Sequence, residues 1–464
     1  MFGKDKLYRQ AGFPVWLFGD GAFFRNLWIL ALPIIIQNFL ASSLNLVDTI
    51  MIGFVGENEV AAVGVANQFF FLFNMFIYGI ASGSSVFISQ YWGGGGRENI
   101  IRIMGVGVTS LLFTGLFFSL AARSFPAGII GFFSDSTAVQ ALGADYLRIV
   151  CLSYIPTALS FLFSHALRSI NKAHVPMIIS LAAILTNTGL NYILIFGKFG
   201  APVLGVTGAA LATVAARCLE CGLLLSASFR KNSVFRARWE EYLNFDLAFV
   251  KKTYATILPV ILNEGLWGLG TILYMAAYGR IGTRALAATN ITGTVQNLFM
   301  VLCLSIAGAA LVMIGNQIGA QNIKRARIYA RNFMALTAVV GLGLGLLIIV
   351  SAPLVLSLYQ ISAGAKSAAL HILWIFGATY GIRQVNLVMI IGIFRGGGDV
   401  RICLAIDLLT MWLVGVPLAF LGAVYWKLPV EYVVALIGTE ELIKFAAVMI
   451  RYRSGKWIHD ITQQ

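Results

Sequence analysis

Leu32-Pro33-Ile34-Ile35 returns as Leu258-Pro259-Val260-Ile261, and the same offset of 226 residues carries Gly53 onto Gly279, Ala61-Ala62 onto Ala287-Ala288, Ile80-Ala81 onto Ile306-Ala307 and Gly93 onto Gly319 without a gap. The chain is therefore a tandem duplication. Of its 464 residues 59% are hydrophobic and only 11% are charged, and the mean hydropathy is +0.84, far more apolar than the core of a soluble protein requires. Such a surface is solvated by lipid. A helix needs ~20 apolar residues to cross ~30 Å of hydrocarbon. Runs of that length are predicted near 26–52, 60–90, 101–122, 140–165, 175–197, 205–227, 250–278, 286–315, 330–352, 367–393, 403–425 and 431–450. The expected fold is an all-α integral membrane protein of twelve transmembrane helices, in two homologous six-helix lobes around a central cavity.

The formal charge of +14 raises the question of an acidic partner. The placement of the charges answers it without nucleic acid. Alternate loops collect most of the basic residues, among them Arg97, Arg102, Arg168, Lys172, Arg230, Lys231, Lys324, Arg325, Arg327, Arg395, Arg401, Arg451 and Arg453. The opposite loops hold Arg123, Lys198, Arg280, Arg284, Lys366 and Lys427. This asymmetry predicts both termini on the cytoplasmic side of a cell membrane, and anionic lipid headgroups are the expected partners of the basic loops. The first apolar run is a full-length span preceded by charged residues, so no cleaved leader is expected.

Six helices per half bring both repeats in from the same side, so the repeats are parallel and related by an axis along the membrane normal. The predicted lobes are residues 1–228 and 250–464, joined by a polar, basic cytoplasmic linker at 229–249. A monomer suffices, since one chain carries both lobes. Pro33 and Pro259 occupy equivalent places in the first helix of each repeat, where a missing N–H and a ring clash bend a helix; they are hinge candidates. The glycine runs Gly93–Gly96 and Gly396–Gly398 lack the Lys-Ser or Lys-Thr of a phosphate-binding loop and read as turns. The cysteines Cys151, Cys218, Cys221, Cys303 and Cys403 lie in or beside spans, which argues against a disulfide framework. The four histidines show no metal-ligand spacing, and no cofactor is expected.

Ionisable residues inside the predicted spans are few, and each costs ~2.5–3.5 kcal/mol on insertion scales unless paired, hydrated or protonated. Asp48 lies in the outer part of the first helix, with Thr49 beside it and Asn45 one turn before. A carboxylate there can hold a small hard cation or a proton. Glu264 lies five residues after Pro259, where the first repeat has Asn38, so the two lobes carry their acids at different places. Asn263 and Trp267 stand close to Glu264 in sequence, and Tyr274 shares its helix. Arg383, in Arg383-Gln384-Val385-Asn386, is expected to neutralise Glu264 or Asp407 or to reach the cytoplasmic surface. Arg217 and Glu220, spaced i to i+3, are expected to form a local pair.

Asn45-Leu46-Val47-Asp48-Thr49-Ile50-Met51-Ile52-Gly53, Ala61-Ala62-Val63-Gly64, Phe394-Arg395-Gly396-Gly397-Gly398-Asp399 and the duplication itself together resemble the multidrug and toxic compound extrusion (MATE) family over essentially the whole chain. That resemblance implies export of amphipathic, often cationic organic molecules in exchange for inward H+ or Na+. It implies that Asn187 and Asn191 of the fifth helix and Thr213 of the sixth join Asp48 in a coupling-ion site, with Na+ as the metal-ion candidate. The candidate substrate-binding residues are Gln37, Asn38, Asn263, Glu264, Trp267, Tyr274 and Gln384. In one pattern of the family an acid at Glu264 is joined by an Asp in the tenth helix; this chain has no acid around Arg383-Gln384-Val385-Asn386.

The expected activity is thus secondary antiport by alternating access of the two lobes. The alternative is a flippase of lipid-linked sugars or other amphipathic lipids, which the acids in the spans disfavour. An integral membrane transferase would need a nucleophile, base or metal constellation at the membrane face, and the sequence has none. No enzymatic activity is expected.

Overall fold

In a computed structural model the structure describes residues 21–359 and 361–462, except for the side chains of Asn45 and Leu46; the expectation for Asn45 lies outside the described residues. The described chain is helical, with no β-strand and only an isolated bridge between Gly398 and Ile458. Its long helices are α1 (Gly21–Gly53), α2 (Glu57–Gly93), α3 (Arg97–Ser124), α4 (Thr137–Ser169), α5 (His174–Phe196), α6 (Gly205–Ser228), α7 (Leu247–Ile281), α8 (Thr283–Gly319), α9 (Ile323–Ser357), α10 (Ala363–Phe394), α11 (Val400–Tyr425) and α12 (Val430–Arg453). The first eleven are long and apolar enough to cross a membrane. α12 has the length but carries Glu431, Glu440, Glu441 and Lys444, so the expectation that ionisable residues in the spans are few fails for the last helix.

The chain divides into two compact units. One is Pro33–Gly265; the other joins the residues up to Leu32 to those from Leu266 onward. The division falls inside α1 and α7, not at the expected linker, and local packing gives the reason. In the first unit Gly79 and Gly83, one turn apart on α2, have no side chain where a Cβ would stand 2.7 Å from the Ile261 Cα and 3.0 Å from the Ile257 Cα of α7. Such spacing of small residues lets two helix backbones approach closely and gain dispersion contacts that lipid cannot replace. The segment expected as a free linker is docked on the same unit. Phe235 and Tyr242 are buried, Tyr242 Oη donates to the Phe235 carbonyl at 2.5 Å, and Arg102 Nε donates to the Asn244 carbonyl at 2.8 Å.

In the second unit α9 and α10 pack through Gly345 and Gly377, where a Cβ on Gly345 would lie 2.3 Å from the Gly377 carbonyl oxygen. α11 contains π-helical turns at Met411–Gly415 and Leu421–Tyr425, on either side of Pro417. A proline inside a helix removes a hydrogen bond and crowds the preceding turn, and widened turns absorb that crowding. The glycines of Gly396-Gly397-Gly398-Asp399 make a turn, with Gly398 at φ +83°. That turn also receives the C-terminal segment: His459 N donates to the Gly397 carbonyl at 2.7 Å, and Arg451 Nε donates to Asp399 Oδ2 at 2.6 Å. Helices α1 and α7 run continuously through Pro33 and Pro259.

Candidate coupling-ion site

Two polar levels cross the first unit, built from the same three helices. α1 and α5 run with a constant register, since Asp48 meets Asn191 and Gln37 meets Ser180 at the same separation of 143 residues. The two levels are therefore three helical turns apart, ~16 Å at 1.5 Å per residue.

At the first level Asn191 Nδ2 donates to Asp48 Oδ1 at 2.6 Å and to Asn187 Oδ1 at 3.0 Å, and Asn187 Nδ2 lies 3.5 Å from Thr213 Oγ1 on α6. Asn187 and Asn191 share one face of α5 because they are four residues apart, and both are 1% exposed. Thr213 also donates to the Ala209 carbonyl at 2.9 Å, and Tyr146 of α4 hydrogen-bonds to Thr213. The structure thus brings Asp48, Asn187, Asn191 and Thr213 together from three helices. One atom stands out. Asn191 Oδ1 is buried with no hydrogen-bond partner among the described residues, a state that costs ~1–3 kcal/mol when nothing satisfies it. Carboxylate, amide and hydroxyl oxygens side by side are hard donors of the kind that suit a small cation.

At the second level Gln37 Nε2 donates to Ser180 Oγ at 2.8 Å, and Ser180 donates to Glu220 Oε1 at 2.7 Å. Arg168, from α4, donates to Gln37 Oε1 at 2.5 Å. Arg217 NH1 meets Glu220 Oε2 at 2.8 Å, so the local pair expected from the i to i+3 spacing is present, but as one end of a longer string. Gln37 is 9% exposed, with both ends of its amide engaged inside the unit. Asn38 is half-buried, Asn263 is buried and Glu264 is half-buried, all in the first unit.

The other candidate substrate residues belong to the second unit. Trp267 is 37% exposed and Gln384 is buried. Tyr274 Oη donates to Glu440 Oε2 at 2.5 Å, the edge of a charge cluster that the sequence reading missed. Lys444 Nζ lies 2.8 Å from Asp407 Oδ1, 2.9 Å from Glu440 Oε1 and 4.0 Å from Glu441 Oε1. Arg383 is not on Glu264: its NH1 lies 3.8 Å from Glu441 Oε1, and its guanidinium carbon stands 5.1 Å from the Phe376 ring centroid. Asn386 Nδ2 donates to Glu441 Oε2 at 2.8 Å. Gly415 makes room for the Tyr274–Glu440 bond, since a Cβ there would stand 2.0 Å from the tyrosine oxygen. The available signal was the i, i+3 and i, i+4 placement of Glu440, Glu441 and Lys444 in an otherwise apolar run.

The comparison with known proteins bears on the same helices. The MatE family model matches residues 33–193 and again 259–421, so its two copies begin at the paired prolines Pro33 and Pro259. The chain belongs to the multidrug and toxic compound extrusion (MATE) family. Among relatives of this MATE protein, the probable multidrug resistance protein YoeA of Bacillus subtilis (strain 168) is 27% identical over 410 residues, 88% of each chain. Multidrug resistance protein MdtK of Edwardsiella ictaluri (strain 93-146) is 28% identical over 407 residues, 86% of this chain and 87% of that one. The MATE fold is shared with the solved Vibrio cholerae MATE transporter VcmN at a TM-score of 0.85 and 19% identity, covering 96% of this chain and 99% of the other. A MOP superfamily transporter from Pyrococcus furiosus has the same fold at a TM-score of 0.82 and 18% identity, over 93% and 96% of the two chains. This MATE protein is thus a multi-pass membrane transporter whose relatives are multidrug efflux proteins.

Proposed function

We propose that the chain is a secondary antiporter that exports amphipathic, often cationic organic molecules in exchange for inward H+ or Na+, the ion binding at Asp48, Asn187, Asn191 and Thr213. The observation that carries the reading is the partnerless Asn191 Oδ1 beside the Asp48 carboxylate. A cation at Asp48 supplies the positive charge that a buried carboxylate needs and gives this amide oxygen a ligand. A proton on Asp48 removes the charge instead. Either event changes the electrostatics of the first level without a covalent step.

Coupling then requires that ion and substrate favour different states of the carrier, by ~5.5 kcal/mol for a complete switch from 1:99 to 99:1. The paired prolines of α1 and α7 are the hinges of this reading, and the two parallel repeats are the moving parts. Substrate is held by Asn38, Asn263, Glu264, Trp267, Tyr274 and Gln384, with the Glu264 carboxylate attracting a cation and the rings offering ~0.5–2 kcal/mol each. Gln37 is reassigned to the second polar level. The protein works as a monomer in the cell membrane, both termini cytoplasmic, with no cofactor beyond the coupling ion.

The test is efflux of a fluorescent lipophilic cation from proteoliposomes under a sodium gradient or a pH gradient imposed separately. One gradient drives efflux, and Asp48→Asn abolishes it. Efflux by Asp48→Asn at the wild-type rate, or efflux indifferent to both gradients, refutes the assignment.

A further inference from the structure

Between the two polar levels stands Arg217. On α6 it follows Thr213 of the first level by one turn and precedes Glu220 of the second by three residues, so all three lie along one side of the helix. Its side chain is 30% exposed, whereas that of Glu220 is 7% exposed. NH1 reaches Glu220 Oε2 at 2.8 Å, and its charge acts on the Asp48 carboxylate. Glu220 is held from the other side by the string Ser180, Gln37 and Arg168. One guanidinium therefore serves two acids, one anchored by direct hydrogen bonds and the other at the level assigned to the ion.

We propose that Arg217 is a tethered counter-charge for the coupling site: it competes with the coupling ion for Asp48, and Glu220 is the seat that holds it while the ion is bound. The inference rests on the assignment of Asp48 as the ion-binding carboxylate. Its physical content is that a vacant, ionised Asp48 is stabilised by Arg217, so the incoming ion displaces an existing favourable interaction. The ion then binds more weakly than the carboxylate alone would allow, and can leave. Arg217 is thus a positioning residue acting through Asp48. The other titratable or charged groups around these levels are Tyr146 on Thr213, Arg168 on Gln37, and His165, whose ring lies 3.4 Å from Ser85.

Two substitutions separate this arrangement from plain structural packing because they move ion affinity in opposite directions. Arg217→Gln removes the competitor and tightens binding of the driving ion, on the order of tenfold for the loss of one nearby charge. Glu220→Gln removes the seat, leaves the guanidinium to Asp48 and weakens binding by a similar factor. Arg217→Gln leaves Glu220 buried without its cation and can fail to fold. The double variant Arg217→Gln/Glu220→Gln carries neither buried charge and also binds more tightly than wild type. Arg217→Lys keeps the charge and stays within about threefold of wild type.

The measurement is the half-saturating concentration of Na+, or of H+, in gradient-driven efflux from proteoliposomes, paired with Na+ titration of the purified full chain by calorimetry. Asp48→Asn runs beside every variant. If Asp48→Asn binds and couples the ion as wild type does, the coupling-site assignment has failed. If Asp48→Asn abolishes coupling while the single and double charge variants leave affinity within twofold, or shift it in one common direction, the coupling site stands and the role of Arg217 is overturned.

Discussion

Lys444→Met should be among the most destabilising single substitutions in the second unit. The Lys444 side chain is 8% exposed and its ammonium lies 2.9 Å from Glu440, itself 7% exposed, and 2.8 Å from Asp407, 17% exposed. At that burial solvent screening does little, so the discount that applies to surface pairs does not apply here. Removing one partner of a buried ion pair costs ~3–5 kcal/mol, because the charge left behind stays out of water. After the substitution Glu440 retains the Tyr274 hydroxyl, at 2.5 Å, but no ammonium. At ~2–4 °C per kcal/mol for a unit of this size, the melting temperature should fall by about 6–20 °C. The assay is thermal unfolding of the purified protein in detergent, followed by loss of the monodisperse peak. Lys444→Met/Glu440→Gln should recover a substantial part of the loss, because the stranded charge is gone; that non-additivity is the signature of a direct pair. A melting temperature for Lys444→Met within 2 °C of wild type would show that the cluster is solvated or not formed, and would refute the reasoning.

Three further outcomes follow from the geometry. Asn191→Leu deletes the 2.6 Å bond to Asp48 together with an oxygen ligand. With hydrogen bonds to charged groups worth ~1.5–3 kcal/mol, sodium affinity by calorimetry should fall about 10- to 150-fold if Na+ is the coupling ion; an unchanged affinity removes Asn191 from the site. Gly79→Ala would place a Cβ 2.7 Å from the Ile261 Cα, whereas Gly265→Ala meets nothing within 4 Å. The first should lower thermal stability by ~1–3 kcal/mol as overpacking does, while the second shows no overpacking loss, and equal effects would contradict the close α2–α7 approach. Asp399→Asn loses its ion pair with Arg451 at 2.6 Å, so limited proteolysis should cut the segment after Arg453 faster than in wild type; an unchanged rate would mean that backbone contacts alone hold it.

The duplication, the apolar runs and the sided distribution of Lys and Arg were legible in the sequence because each is a property of residue order along one chain, and lipid imposes the helix on any long apolar run. Asp48 was legible for the same reason: a charge in an apolar helix is conspicuous wherever the helix packs. The contents of α12 show the limit of that reasoning. Glu440, Glu441 and Lys444 make the run less apolar, and only their placement against Asp407, Tyr274 and Arg383 makes them a buried cluster.

Tertiary structure alone decided which polar residues meet. Gln37 and Ser180 are 143 residues apart, and it is the register of α1 against α5 that joins them and, three turns away, joins Asp48 to Asn191. Composition cannot show that register, since a glutamine on an apolar helix can serve a substrate or a buried string equally well. The placement of α7 is of the same kind. Glycines at 79 and 83 let its first half pack against α2, so the compact units divide within helices although the repeat divides between them. The sequence determined the membrane helices and their doubling through local hydrophobicity, whereas the polar levels inside the first unit arise from non-local packing of three helices, which fixes distances that no single segment contains.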